Sequence, residues 1–395
     1  MNGIWADKCE RKNGISIAIV SDYVNPYIGG HSRNIYYLAK ALEKMGCNIT
    51  FFCLDDPLNR ICFDKSKKAY LVQRKVPTIS SQLEIAAKIK QLDRDYDIVH
   101  SNSLFGFPYL FGGRKPFIAH LRASQLRLAR VIIAEKSRFT GCASLIASSK
   151  FLLASLVEKF VVDNCDMVFS NSKETAIALI QDYKIHPNKI RIVPNGVEVP
   201  REGNGERIRK RYGLEGKKIM LFVGHLGFTK GVHRLIEVME KINEKRSDIV
   251  LLLVGGGQLE NIIRNYVSKM KNIIVVGHVF GDELWQFYAS ADLFVYPAAP
   301  GTTLLEAMAS AKPFILYYTS KDNTPGIPLD DIKRERIGEV LIDSNLSEFY
   351  ESILHRIDDH GWLLEQGQRA FKFVKEHFSW DIIAKRVMQY YKELM

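Results

Sequence analysis

Lys230 lies in Gly224-His225-Leu226-Gly227-Phe228-Thr229-Lys230-Gly231, just ahead of an apolar helical pattern. Glycines free backbone N–H groups to turn toward a ligand, and a lysine beside them adds a compact cation, a pairing suited to a diphosphate. Taken alone, Lys230 is better accounted for as a solvated loop lysine. A second stretch, residues 291–315 (ADLFVYPAAPGTTLLEAMASAKPFI), runs from an apolar strand-like segment through the small-residue turn Pro300-Gly301-Thr302-Thr303 into a helical pattern ended by Lys312-Pro313. That turn opens on a helix N-terminus, where unpaired N–H groups and the positive end of the dipole attract phosphate. Glu306 falls in the first turn of this helix. Its carboxylate can stabilise the helix end, or accept hydrogen bonds from the paired hydroxyls of a sugar. Gly255-Gly256-Gly257 and Gly277-His278-Val279-Phe280 end two further apolar runs. The second can present backbone groups to a base, and both are also explained as plain strand-to-helix turns.

Strands and helices must position these loops. Residues 15–21 (ISIAIVS) are a short, β-branched, continuously apolar run of the kind that makes a buried parallel strand. Similar runs follow at 48–54, 68–76, 97–100, 116–121 and 166–170, with helical patterns at 31–45 and 83–92. The segment 193–205, rich in Pro, Gly and Asn, reads as a linker. Beyond it the alternation restarts, with strands at 218–223, 249–254 and 272–276 and helices at 231–242, 259–270 and 282–288. The pattern predicts an α/β chain built as two tandem Rossmann-like, doubly wound parallel-sheet domains facing a cleft, with ligands at the carboxyl ends of the strands. The tail, 379–394, carries apolar residues at helical spacing and is expected as a surface helix docked on one of the halves.

Size and composition agree. A chain of 395 residues exceeds one ordinary core, and two domains of roughly 150–200 residues are the natural division. It is 47% hydrophobic and 25% charged, as in soluble globular proteins, and its net charge of +11 and pI near 9.2 point to anionic company. Nucleic acid, an anionic membrane surface and nucleotide substrates all fit that charge. Six scattered cysteines form no C-x-x-C pair, and Cys47, Cys53 and Cys165 lie in or beside apolar segments, so a reducing compartment and no zinc site are expected. The polar first 14 residues do not read as a signal peptide, and no uncharged apolar stretch reaches the roughly 20 residues of a spanning helix. The carboxylates of Asp93-Arg94-Asp95-Tyr96-Asp97 read as a helix end leading into a strand rather than as a metal-binding D-x-D.

In order and spacing, a set of motifs resembles the retaining GT-B glycosyltransferases of family 4 over nearly the whole chain. The residues that carry the resemblance are Gly29-Gly30 after the first strand, DIVH at 97–100, PNGV at 194–197, FVGHLGFTKG at 222–231, LLVGGGQLE at 252–260, VVGHV at 275–279, LLEAMASAKP at 304–313 and FSWDIIAKRV at 378–387. The resemblance implies an N-terminal acceptor domain over 14–195, a C-terminal nucleotide-sugar donor domain over 196–377 and a terminal helix, 378–395, crossing back to the first domain. It implies a metal-independent hexosyltransferase with no cofactor, the nucleotide-sugar being a substrate, and a saccharide or lipid-linked acceptor. Matched residue by residue, Lys230 contacts the donor diphosphate, Glu306 the nucleotide ribose, Val279 the base through its backbone, and Gly29, Gly30 and Gly224 line the donor site. Lys230, His225 and Glu306 are the catalytic candidates.

The chain departs from the family pattern at three places. His225 replaces the usual arginine five residues before the loop lysine, and Ala298 replaces the first of two glutamates. Thr302 and Thr303 are then the candidates to supply donors to the phosphate or sugar. On the acceptor side, Arg122 stands near the place of a family histidine, with His120 two residues earlier. The basic amphipathic stretch 122–138 (RASQLRLARVIIAEKSR) suits an anionic membrane or a phosphorylated lipid-linked acceptor, and equally a solvated helix with its apolar side inward. No recognition motif for nucleic acid accompanies the charge. The expected location is the cytoplasm, with peripheral membrane association left open. Two other readings stay open beside catalysis: a non-catalytic nucleotide- or glycan-binding homologue partnering an active transferase, and a nucleotide-sugar epimerase.

Overall fold

The computed structural model describes residues 14–25, 30–56, 68–75, 78–127, 129, 142–199, 203–227, 230–257, 259–298, 301–319, 327 and 329–395. Contacts divide the chain into a first domain, the residues up to Pro194 together with Trp380–Met395, and a second domain, Asn195–Ser379.

The first domain runs β1 (Ser16–Val20), α1 (Gly30–Lys44), β2 (Asn48–Asp55), β3 (Lys68–Gln73), α2 (Ile79–Gln91), β4 (Ile98–Asn102), β5 (Phe117–Leu121), α3 (Cys142–Asn164), β6 (Met167–Ser170), α4 (Lys173–Tyr183) and β7 (Ile190–Ile192). Its strands form a parallel sheet in the order β3-β2-β1-β4-β5-β6-β7. The winding reverses between β1 and β4, and that reversal leaves a crevice at the carboxyl ends of these two strands.

The second domain continues with α5 (Glu206–Tyr212), β8 (Lys218–Val223), α6 (Val232–Asn243), β9 (Ile249–Val254), α7 (Glu260–Val267), β10 (Ile273–Gly277), α8 (Asp282–Ser290), β11 (Leu293–Tyr296), α9 (Thr302–Ala309), β12 (Phe314–Tyr318), α10 (Leu329–Arg334), β13 (Glu339–Ile342), α11 (Leu346–Arg356) and α12 (His360–His377). Its sheet is parallel in the order β10-β9-β8-β11-β12-β13, with the reversal between β8 and β11. The sequence dictates this burial. All of β9 (IVLLLV) is buried, as a strand covered by helices on both faces must be. Helix α6 turns Val232, Leu235, Ile236, Met239 and Ile242 inward at helical spacing.

The last helix, α13 (Trp380–Leu394), belongs to the first domain. Trp380, Ile383, Ala384, Val387 and Tyr391 are buried in the cluster that includes Ile35, Leu38 and Leu42 of α1. The Trp380 ring stacks on Tyr37 at 6.2 Å. The Tyr391 hydroxyl lies 2.6 Å from His100 Nδ1 on β4, a partner 291 positions away.

Cys47, Cys53 and Cys165 are buried free thiols, and burial pushes Cys47 up to about 11 and Cys165 up to about 12, so they act as small hydrophobes. The acidic run closes α2 with a turn at Asp93–Asp95. Asp93 Oδ1 accepts from the Tyr109 hydroxyl at 2.6 Å, and Asp97 Oδ2 from the Ser16 N–H at 2.9 Å, so both carboxylates serve the fold. Among the described residues no helix is long and apolar enough to cross a membrane.

Candidate functional site

In the second domain the glycine turns meet at the carboxyl ends of β8, β9 and β10. Gly224 N donates to Val254 O at 3.0 Å, Gly255 N to Gly277 O at 2.8 Å, and Leu226 N to Gly256 O at 2.9 Å. Gly255 holds φ +131°, and a Cβ there would run into the Gly224 carbonyl. The close approach of these loops therefore requires glycine at that position. His225 is exposed at the rim, and a Cβ on Gly257 would come within 2.7 Å of its Cε1. Val279, past the end of β10, is part-buried.

Lys230 is reached through Gly231, which holds φ +66° with its Cα face pressed on the Pro297 carbonyl. Arg234 Nη1 donates to the same carbonyl at 2.8 Å, so the start of α6 is fixed to the end of β11. The consequence is positional: the Lys230 ammonium lies 5.9 Å from the Tyr296 ring centroid and 3.8 Å from where a Cβ on Gly301 would be. Gly301 is the residue before α9. A cation and a helix N-terminus, 71 positions apart in sequence, thus face one small volume.

Glu306 is the fifth residue of α9, beyond the first turn in which the sequence pattern puts it because the helix begins already at Thr302, and is 2% exposed. The Tyr288 hydroxyl on α8 lies 2.8 Å from its Oε2 and 3.2 Å from the Thr303 carbonyl oxygen. The buried carboxylate is thereby aimed rather than left free, at the cost of ordering Tyr288. The Thr303 hydroxyl is shut off from solvent and has no partner among the described residues, one turn from Glu306. Ala298 is 1% exposed and supplies no polar group.

In the first domain the reversal point carries a polar chain. Arg122, directly after β5, donates through Nη1 to Asn102 Oδ1 at 2.6 Å. Asn102 Nδ2 donates in turn to Ser21 Oγ at 3.0 Å and to the His31 carbonyl at 3.3 Å, tying β4 to the end of β1 and the start of α1. Burial pulls the guanidinium down to about 10, opposed by the Asp22 charge, so it remains a cation at neutral pH. His120 lies in the body of β5 and is 3% exposed, its ring 5.5 Å from that of His100 and edge-on to Phe169. Burial, with the Arg122 charge second, pulls His100 down to about 3 and His120 well below its ordinary value, so both rings are neutral.

The structure therefore brings Lys230, Thr302, Thr303 and Glu306 together on one side of the second domain, with Gly224 and His225 on the adjoining turn. Of the acceptor-side candidates, Arg122 stands at the strand end, while His120 is packed beneath α13. Gly30 opens α1 with open space where its Cβ would be. Gly29 and most of the basic stretch, residues 128 and 130–138, lie outside the described residues. Sequence reasoning missed Tyr288, Asn102 and Ser21. Tyr288 reads as one more apolar position in DELWQFYAS, and Asn102 and Ser21 are 81 positions apart.

The model of Glycosyltransferase Family 4 matches residues 28–201, and that of Glycosyl transferases group 1 matches 204–323, together well over half of the chain. An uncharacterized glycosyltransferase of Methanocaldococcus jannaschii is 26% identical over 64% of this chain, and the match spans 66% of that relative, just under two thirds of its length. A GDP-mannose-dependent alpha-mannosyltransferase of Corynebacterium glutamicum is 29% identical over 76% of this chain and 69% of its own. The crystal structure of Anabaena HepE in complex with UDP superposes with a TM-score of 0.72 at 15% identity, covering 96% of this chain and 100% of that one, a likeness of fold.

Proposed function

Since the chain belongs to the group 1 glycosyltransferases of the GT-B fold, we propose that it moves a hexosyl group, with retention and without a metal ion, from a nucleotide-diphosphate sugar to a saccharide or lipid-linked acceptor. One observation carries the reading: the Lys230 ammonium faces the Gly301 turn that opens the helix bearing Glu306. A donor diphosphate placed there meets a cation and the positive end of α9, which together stabilise the charge of the departing nucleotide. Glu306, oriented by Tyr288, accepts from the ribose hydroxyls. His225 and the backbone of Gly224 and Val279 complete the donor contacts within the second domain, and Thr302 and Thr303 take over from the carboxylate that Ala298 lacks. The relatives point to more than one base, since one named above depends on GDP-mannose and a fold neighbour was crystallised with UDP.

Release of nucleotide from a panel of UDP-, GDP- and ADP-sugars in the presence of candidate acceptors tests the proposal. Turnover that survives EDTA and falls at least tenfold in Lys230→Met and Glu306→Ala supports it. Silence across the panel, with nucleotide binding unaltered by Glu306→Ala, overturns it. Ala298 favours a second reading, a non-catalytic nucleotide binder, and tight binding without turnover selects that reading. A new epimer formed without acceptor selects the epimerase reading.

Peripheral contact with an anionic membrane forms part of the proposal for the first domain. Leu153 and Leu156 of α3 are 65% and 68% exposed beside the exposed Lys150 and Lys159, an apolar and basic pairing suited to such a surface. Sedimentation with vesicles containing phosphatidylserine, but not with phosphatidylcholine alone, is the expected result. Equal sedimentation with both, or with neither, counts against it.

A further inference from the structure

The reversal point of the first sheet holds polar atoms that no described residue satisfies. Arg122 Nε and Nη2 are shut off from solvent without a partner, while Nη1 is spent on Asn102. Asn102 cannot turn to serve them, because its amide is committed to Ser21 Oγ and the His31 carbonyl. Ser21 Oγ is itself spent on the Tyr23 carbonyl at 2.7 Å. The Ser32 hydroxyl in the first turn of α1, and His100 Nε2, are likewise buried and unpaired. A buried donor without a partner keeps the full cost of its lost hydration, and a charged one more so, and a guanidinium with two such donors therefore points to a group that the described residues do not provide.

The chemistry of that group follows from which atoms are left over. Nε–H and Nη2–H lie parallel along one edge of the guanidinium, the edge that matches the two oxygens of a carboxylate or of a phosphate. A ring hydroxyl offers one oxygen to this edge and leaves the other donor bare. The N-terminal end of α1, whose His31 carbonyl is tied to Asn102, adds positive potential on the same side. Asp22 bonds to Tyr23 N at 2.9 Å, and its charge favours the guanidinium without occupying Nε or Nη2.

We infer that the Nε/Nη2 edge of Arg122 binds a compact anionic group, a carboxylate or a phosphate monoester, carried by a sugar substrate. That the anion belongs to a substrate rests on the transferase reading above; anion binding at Arg122 does not. The same chemistry has two sources, an acidic or phosphorylated acceptor and a donor whose sugar is a uronic acid.

The test uses the full chain, with and without saturating UDP or GDP, titrated with glucose, glucose 6-phosphate and glucuronate and followed by calorimetry and by unfolding midpoint. The expected result is at least tenfold tighter binding of a charged sugar than of glucose, retained when nucleotide is bound and erased in Arg122→Met. Arg122→Lys keeps the charge without the parallel edge and recovers only part of the preference. Unliganded far-UV circular dichroism and midpoint of both variants establish that they fold. In parallel, UDP-glucuronate is compared with UDP-glucose. A preference for UDP-glucuronate lost in Arg122→Met places the anion on the donor sugar, and a preference confined to the free charged sugars places it on the acceptor.

The inference is overturned if no charged sugar is preferred, if the preference survives in Arg122→Met, or if Arg122→Lys restores it in full. It also falls if bound nucleotide abolishes the preference, since the site then serves the nucleotide phosphates. If no nucleotide binds at all, the transferase proposal fails, while the titration without nucleotide still decides for or against Arg122.

Discussion

The Tyr288 hydroxyl lies 2.8 Å from Glu306 Oε2, with both side chains buried in the second domain. The pair couples α8 to α9, so the orientation of the carboxylate at the proposed ribose site depends on a residue no sugar touches. Tyr288→Phe is expected to lower stability by about 1–3 kcal/mol, the cost of stripping a buried carboxylate of a donor. It should also weaken nucleotide binding several-fold with the diphosphate contacts intact. Urea unfolding and calorimetry with UDP or GDP read the two effects separately, and unchanged nucleotide affinity would show that Tyr288 serves packing alone.

Thr303 provides a cleaner separation of function from stability. Its hydroxyl is sealed and unpartnered, so Thr303→Val removes no bond and is expected to change stability by less than about 1 kcal/mol. If the hydroxyl meets the donor phosphate or sugar, the same variant loses about tenfold in donor affinity, and Thr303→Ser keeps it. Donor affinity equal to that of the parent would remove Thr303 from the donor site.

Gly231 and Gly30 should respond in opposite directions to alanine. Gly231 combines φ +66° with a Cβ position blocked by the Pro297 carbonyl, so Gly231→Ala is expected to cost at least about 1–3 kcal/mol and to displace Lys230. At Gly30 the Cβ meets nothing within 4 Å and the residue is helical, so Gly30→Ala should leave stability unchanged or raise it by up to about 1 kcal/mol. Denaturant midpoints compared across the two variants decide the point.

Glu158 gives the first domain a distinctive pH dependence. It is fully buried on α3, accepts from the Gln125 N–H at 2.7 Å and from the Tyr183 hydroxyl, and is pushed up to about 7, mainly by burial. A carboxyl whose folded value lies above its unfolded one, about 4.3, stabilises the fold in its protonated form. That contribution is present in full below pH 4 and is lost as pH rises through 7, a change of order 3 kcal/mol. His100, held down to about 3, contributes in the opposite sense, its stability falling away below pH 6.5. Glu158→Gln leaves the histidine term in place, so the difference in unfolding free energy between parent and variant between pH 5 and 8 isolates Glu158. A difference that does not vary with pH would show that the carboxyl titrates normally.

The carboxyl-end turns were readable because their signals are local. The continuous apolar run of β9, the glycines at 255–257 and the helix start at Thr302 each state their structure within a few residues, and Glu306 and Lys230 follow from position relative to those turns. β13 (EVLI) carries no such signal: it is a four-residue edge strand with every residue only part-buried, and neither length nor pattern distinguishes it from a loop. His120 shows the limit from the other side. As a polar residue one position before the strand end it reads as part of a site, but the alternation of the strand turns it onto the face covered by α13, where it stacks on His100.

By itself the sequence determined that this chain is an α/β protein with two parallel sheets, a glycine-framed lysine and a carboxylate on the helix that follows a small-residue turn, since period, turn chemistry and composition are properties of short segments. Which residues the last helix packs against, that Tyr288 aims Glu306, that Lys230 faces the turn before α9, and that Arg122 is left with one unpaired edge were decided only by tertiary structure. The physical reason is common to all of them. Each depends on bonds or burial between residues far apart in the chain, 81 positions for Asn102 and Ser21 and 291 for His100 and Tyr391, and burial, which converts a polar atom without a partner into a demand for one, exists only once the sheets and helices have closed around it.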